Sequence, residues 1–384
     1  MVTLIKNARV LTMEGSKEKP ELKNVLIRDG KISSISTREA KADVVIDAKE
    51  HLLLPGFIDA HCHLGMWEDA IGFEGADGNE MTDPITPSLR AIDAINPMDR
   101  TFEDARSGGV TSVATGPGSA NCIGGTFAVV KTKGTRIDDM VVKEPVAMKI
   151  AFGENPKRVY DAQKKSPTTR MAIASKIREA LHKAKEYQQK KRSAEPPAFN
   201  FDMEALLPVL EKKIPLKAHA HRVDDIFTAL RISKEFGVNV TLDHVTEGHL
   251  IVDELVKEKV DCIVGPSFGD RSKYELKNKS FETAALLNKA GVKVAIMTDH
   301  PVIPIEHLNM CAQYAVRAGM DHYEALKAIT IYPAQILGLG SRLGSIAKGK
   351  DADLVLWDGD PLNIDSHVLL SMIDGEVVYQ ADGF

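Results

Sequence analysis

The run Leu54-Pro55-Gly56-Phe57-Ile58-Asp59-Ala60-His61-Cys62-His63-Leu64 opens apolar, is punctuated by Pro-Gly, and ends in two histidines one residue apart. Such punctuation reads as a turn leading into a buried strand. Side chains alternate across a strand, so His61 and His63 project to one side. Cys62 points to the other, where it serves as a small buried hydrophobe. Two neutral imidazoles side by side at a strand end can grip one metal ion. A bare His-x-His is more often incidental than a ligand pair, so its weight depends on what the rest of the chain supplies.

Downstream, strand-like runs alternate with helix-like segments, the pattern of βα units and a parallel sheet. The runs are 109–114, 127–130, 146–152, 216–221, 238–244, 261–265 and 292–299, with helices such as Val223 to Phe236 and Ser280 to Ala290 between some of them. Counting the strand that ends at His63, they number about eight, which closes a TIM-like (β/α)8 barrel. An open doubly wound sheet would announce itself with a Gly-rich phosphate loop after the first strand. That position holds His-Cys-His.

Both chain ends have a different texture, of short strands with tight turns. Asp29-Gly30 and Asp374-Gly375 each sit between apolar runs, a hairpin signal. Neither end has enough strands for its own core. The expectation is one small β-sandwich domain built from residues 1–55 plus 345–384, with the barrel, residues 56–344, inserted between them. The basic stretch from Thr168 to Arg192 carries Met171, Ala174, Ile177, Leu181 and Ala184 at helical spacing and reads as a solvated helix rather than a nucleic-acid surface.

With 384 residues and a net charge of −5, the chain can bury a large core and shows no basic footprint for nucleic acid or anionic membrane. Four scattered cysteines, without a CxxC pair, fit a reducing cytosol rather than a disulfide framework. No apolar run approaches the ~20 residues that span a bilayer, and the N-terminus lacks a signal-peptide core. The expected setting is cytoplasmic, with a small-molecule substrate and room for a homo-oligomer.

Catalytic groups of a parallel barrel sit at the C-terminal strand ends. There the chain places His61 and His63, then Lys149 within an apolar run, His219 and His221, His244, and Asp299 followed by His300. Of twelve histidines, six fall at strand ends. One such histidine is usually structural; four strands ending in His or Asp point to a shared metal site. A lysine ammonium beside two cations would be repelled, whereas a carbamate at Lys149 would be an anion there. Glu154, at the same strand's end, is the alternative carboxylate.

These residues resemble the amidohydrolase superfamily over nearly the whole chain, and within it the imidazolonepropionase-related and prolidase-like metal-dependent hydrolases. The run 55–63 looks like its entry motif, 292–299 its closing strand, 328–338 the helix and turn that follow, and 344–355 the return to the small β domain. The resemblance implies a first metal on His61, His63 and Asp299 and a second on His219 and His244. Lys149 stands where binuclear members carry a carboxylated lysine. Spacing alone does not separate His219 from His221; the resemblance favours His219 as ligand and turns His221 to the substrate. One or two divalent ions are implied, zinc first, with iron, manganese, nickel or cobalt also acceptable to such donors.

The implied activity is cleavage of a C–N bond (amide, dipeptide or cyclic amide) by metal-activated hydroxide, the ion lowering the pKa of water from ~15.7 towards ~7. Asp299 is placed to accept the water's proton and return it to the leaving nitrogen. A mononuclear imidazolonepropionase-like or deaminase enzyme is the alternative, but such members carry a Glu a few residues after the fifth-strand His, and here the run is His219-Ala220-His221-Arg222. A metal-free, non-enzymatic relative would lack ligands at several strand ends. Arg222 and Arg271 are candidates to receive a substrate carboxylate.

Overall fold

The computed structural model describes residues 1–16, 19–69 and 72–384. Five strands precede the histidine motif: β1 (Val2–Val10), β2 (Glu21–Arg28), β3 (Lys31–Ser36), β4 (Val44–Asp47) and β5 (Leu52–Pro55). The next eight are β6 (Phe57–Cys62), β7 (Val110–Thr115), β8 (Ile123–Lys131), β9 (Val141–Ala151), β10 (Leu216–Ala220), β11 (Val240–His244), β12 (Cys262–Val264) and β13 (Val294–Ile296). The last three are β14 (Leu354–Trp357), β15 (Val368–Ile373) and β16 (Glu376–Gln380).

The two chain ends share one eight-stranded sheet, ordered β16-β15-β14-β5-β1-β2-β3 with β4 alongside β1. The seam is antiparallel pairing of β14 with β5, Leu354 opposite Pro55 through Trp357 opposite Leu52. Both Asp-Gly hairpins form, with positive φ at Asp29, Gly30, Asp374 and Gly375, as a two-residue primed turn demands. Ile5, Val25, Ile27, Leu53, Leu354, Leu356 and Met372 make up this sheet's core.

Gly56 is the hinge between the sheets. A Cβ there would lie 2.1 Å from Thr111 Oγ1, so only glycine lets the start of β6 approach β7. The second sheet runs β13-β12-β11-β10-β9-β8-β7-β6. Its gap is bridged by Ala328 and Ile329, whose carbonyls accept from Ile296 N at 2.9 Å and Ile58 N at 2.8 Å. Asp59 adds a clasp across that gap, its Oδ2 accepting from Thr298 N at 2.9 Å and Thr298 Oγ1 at 2.6 Å.

All the expected barrel strands are present, but the sheet is not uniformly parallel. β8 runs antiparallel to both β7 and β9. The loop between β7 and β8, residues 116–122, is too short for the helical crossover that parallel neighbours need. The eight-stranded sheet is therefore a nearly closed mixed barrel, with β9 to β13 mutually parallel.

The basic helix spans Arg170–Lys190, capped by the Thr169 side chain accepting from Ala172 N. It buries Ile173, Ile177, Ala180, Leu181 and Ala184, while Met171 is exposed. Among the described residues no helix is long and apolar enough to cross a membrane. At the barrel's lower end, Lys131 Nζ meets Asp351 at 3.0 Å, Asp353 at 2.6 Å and Asp374 at 3.0 Å, and Arg342 and Lys31 also pair with Asp351. This buried network ties the barrel to the end sheet.

Candidate metal centre

The strand ends bring the expected residues together at the other end of the barrel. Asp299 Oδ1 lies 3.2 Å from His63 Nε2 and 3.4 Å from His61 Nε2. Lys149 Nζ, fully buried on β9, lies 3.4 Å from the same His61 Nε2. His244 stacks between the groups, its ring 5.4 Å from His61, 4.2 Å from His219 and 4.4 Å from His221. Donor atoms of His61, His244 and Asp299 fall within 4.8 Å of one another, and so do those of His219, His221 and His244. Cys62 points away into the apolar core.

Backbone strain helps set this geometry. His244 and Asp299 both have positive φ, 72° and 55°, which side chains other than glycine rarely adopt. The left-handed turn at each strand end swings the side chain towards the barrel axis.

The ring nitrogens are sorted by their partners. His63 Nδ1 lies 2.7 Å from the Gly116 carbonyl and His244 Nδ1 lies 2.9 Å from the Gly265 carbonyl. His61 Nδ1 lies 3.0 Å from Asp243 Oδ2. Carbonyls only accept, so His63 and His244 carry the proton on Nδ1 and each presents an Nε2 lone pair to the centre. Carboxylate or carbonyl behind imidazole is the usual support of a metal-binding histidine. Asp243 in turn accepts from Lys217 Nζ at 3.0 Å.

Burial pushes the pKa values of His61, His219, His221 and His244 down, which keeps the imidazoles neutral. Burial also brings Lys149 down to about 8, bringing its free amine within reach of neutral pH. Neutral imidazoles, a carboxylate and an amine near its own titration point form a donor set that fits divalent ions.

Sequence reasoning passed over three members of this assembly. Asp243 and Lys217 were hidden among ordinary strand residues. Glu275 comes from a short 3-10 turn, Tyr274–Leu276, in the connection after β12, is 1% exposed, and turns Oε1 to within 3.6 Å of His221 Nε2 and 3.9 Å of His219 Nε2. Glu154 does not face the centre. It exchanges contacts with Glu275, its N–H donating to Glu275 Oε2 at 2.9 Å and its Oε2 accepting from Glu275 N at 3.3 Å.

The candidate carboxylate receivers are committed elsewhere. Arg222 forks onto Asp224 at 2.9 Å twice, and Arg271 donates to the carbonyls of Lys277 and Lys279. A cavity of about 190 Å³ opens over His221, His244 and Asp299, with Lys273 and Lys279 in its wall. Lys279 Nζ is used on the carbonyls of Gly269 and Asp270. His300 is buried beside this region with both ring nitrogens unpartnered, and burial brings it down to about 4.

This arrangement of strand-end histidines, lysine and aspartate in a barrel defines a class: the chain belongs to the amidohydrolase family, whose model matches residues 52–379. It is 30% identical to the amidohydrolase tasK of Hapsidospora irregularis, over 97% of this chain and 43% of that protein. To an imidazolonepropionase of Caldanaerobacter subterraneus it is 25% identical, over 88% of this chain and 84% of that one. The crystal structure of an amidohydrolase from Thermotoga maritima superposes with a TM-score of 0.95 at 44% identity, covering 99% of this chain and 100% of that one. The chain thus spans less than half of the first relative and nearly all of the others.

Proposed function

We propose that the chain is a binuclear metal-dependent amidohydrolase that cleaves a C–N bond of a small amide, dipeptide or cyclic amide. One observation carries this: the Nε2 atoms of His63 and His244 are left proton-free by carbonyl partners behind the rings, and they gather with His61, Asp299 and Lys149 at one end of the barrel. Relatives named imidazolonepropionase, dihydroorotase and 5'-deoxyadenosine deaminase support hydrolysis at carbon–nitrogen bonds.

His61, His63 and Asp299 would hold the first ion, and His219 and His244 the second, with zinc the expected metal. Bound divalent ions would supply hydroxide at neutral pH and polarise the scissile carbonyl. Lys149 would join the donors that hold them after its neutral amine adds to CO2, forming an N–C bond and releasing one proton, so that the side chain becomes an anion. Asp299 would take the proton of the attacking water and pass it to the leaving nitrogen. His221, at the cavity floor, would face the substrate carbonyl. Lys273 would receive a substrate carboxylate.

The end sheet, read as a sandwich domain of residues 1–55 plus 345–384, would brace the barrel of residues 56–344 from below. The whole is read as cytoplasmic. Metal analysis of the purified protein, coupled to a screen of N-acyl amino acids, dipeptides and cyclic amides, tests the assignment. Ion-free protein with undiminished hydrolysis would refute it.

A further inference from the structure

Four buried polar atoms on one side of the centre have no hydrogen-bond partner among the described residues: both ring nitrogens of His219, Nε2 of His221 and Oε1 of Glu275. Three of them face one another, Glu275 Oε1 lying 3.6 Å from His221 Nε2 and 3.9 Å from His219 Nε2. Donors ~2.1 Å from a tetrahedral ion stand about 3.4 Å apart, so these spacings are close to the edges of a coordination shell.

The carboxylate is aimed, not loose. Glu275 Oε2 is pinned by the N–H of Glu154 at 2.9 Å. That approach needs Gly153, which has φ +84° and whose added Cβ would sit 2.7 Å from Glu275 Oε2. With one oxygen fixed by backbone, the other can point only at the imidazoles. Nearby cations compensate it only in part. Arg170 is spent on both oxygens of Asp225 at 3.0 Å, and Lys273 Nζ makes a long ion pair with Glu275 Oε1, 3.9 Å away and beyond hydrogen-bond range. A buried carboxylate facing imidazole nitrogens, with one long ion pair and no hydrogen bond on that oxygen, is costly to fold unless an ion completes the group.

We propose that Glu275 is a direct ligand of the second ion, together with His219 and His221. The shell then includes a carboxylate from the segment after β12 as well as strand-end donors, and His221 moves from facing the substrate to holding metal. This rests on the metal-dependent reading above.

The test uses full-length protein stripped with a chelator and titrated with Co2+, comparing wild type with Glu275→Gln. Gln can still accept from Glu154 N but offers the ion a poorer donor. Bound cobalt is counted by plasma mass spectrometry, and visible d–d absorption reports its shell. The expected result is that Glu275→Gln keeps one ion and binds the other at least tenfold more weakly, with a changed spectrum. Equal stoichiometry, an affinity within twofold and an unchanged spectrum would overturn the assignment. Should Glu275→Gln fail to fold, Glu275→Asp draws the carboxylate back by one methylene and is expected to weaken the second ion about tenfold, and unchanged affinity again overturns it. A wild type that takes up no ion defeats the metal-dependent function itself, which distinguishes that failure from a failure of Glu275 alone.

Discussion

The barrel buries two charged clusters, one at each end, and they are built on opposite rules. At the lower end Lys131, Lys31 and Arg342 are matched against Asp351, Asp353 and Asp374, with the Lys131 contacts at 2.6–3.0 Å. At the upper end, among the described residues, nitrogens of His219 and His221 and an oxygen of Glu275 are left without hydrogen-bond partners, and Lys149 has no carboxylate closer than Asp243 at 4.0 Å. Leaving buried polar atoms unpaired costs free energy, so a cluster of them facing one another marks a place where a ligand would complete them. The lower cluster is a fastening. The upper one has the make-up of a binding site, which is how we read it.

This contrast can be broken or sharpened experimentally. The largest effect belongs to Asp299→Asn, which should lower turnover roughly 10³-fold while leaving the thermal transition near that of wild type. Steady-state kinetics checks it, and a variant above a tenth of wild-type rate would remove Asp299 from the mechanism. Lys149→Ala should cost roughly 10²-fold, with partial recovery on adding a short carboxylate that can replace the lost anion. If no carboxylate restores rate and intact-mass spectrometry of the native protein shows no CO2 adduct, the carbamate is refuted.

Lys131→Met inverts the pattern. It leaves the buried Asp353 without a cation and strips Asp351 and Asp374 of one, and should destabilise the fold by about 3–5 kcal/mol in denaturant titration, with the metal content of the folded fraction unchanged. Loss of metal without loss of stability would show that the two ends are not independent. Lys273→Met should raise KM about tenfold for substrates bearing a carboxylate and leave kcat within about threefold. An equal change for uncharged substrates would disprove the contact.

The smallest effect lies outside both clusters. The hydrogen bond to Asp360 raises the pKa of His322, with both side chains about half exposed. Its stabilisation is therefore fully present below the unfolded value near 6.5 and fades as pH rises through the higher folded one. Solvent screening limits it to a few tenths of a kcal/mol. His322→Asn should shift stability slightly at pH 5 and not at pH 9.

Much of this was legible in the chain. The strands showed as apolar runs, and His61, His63, Lys149, His219, His221, His244 and Asp299 stood at their ends because a barrel must carry its chemistry there. The direction of β8 was not read, since side-chain alternation is the same whichever way a strand runs. The seven-residue gap between Thr115 and Ile123 was the available signal, being too short for a crossover. Asp243 escaped because a strict alternation would turn it away from His244's side; it supports His61 from behind, while the left-handed backbone at His244 redirects the next side chain. Glu275 lies in a three-residue 3-10 turn, too short to show periodicity, where one carboxylate looks like any other. Only packing against Gly153 and Glu154 singles it out.

The central claim is that the unpaired donors at the upper end hold catalytic divalent ions. Chelator-stripped protein should be inactive, and on titration with Zn2+ its turnover should rise with bound metal and level off at two ions per chain. Full turnover by protein retaining less than a tenth of an ion per chain would contradict it.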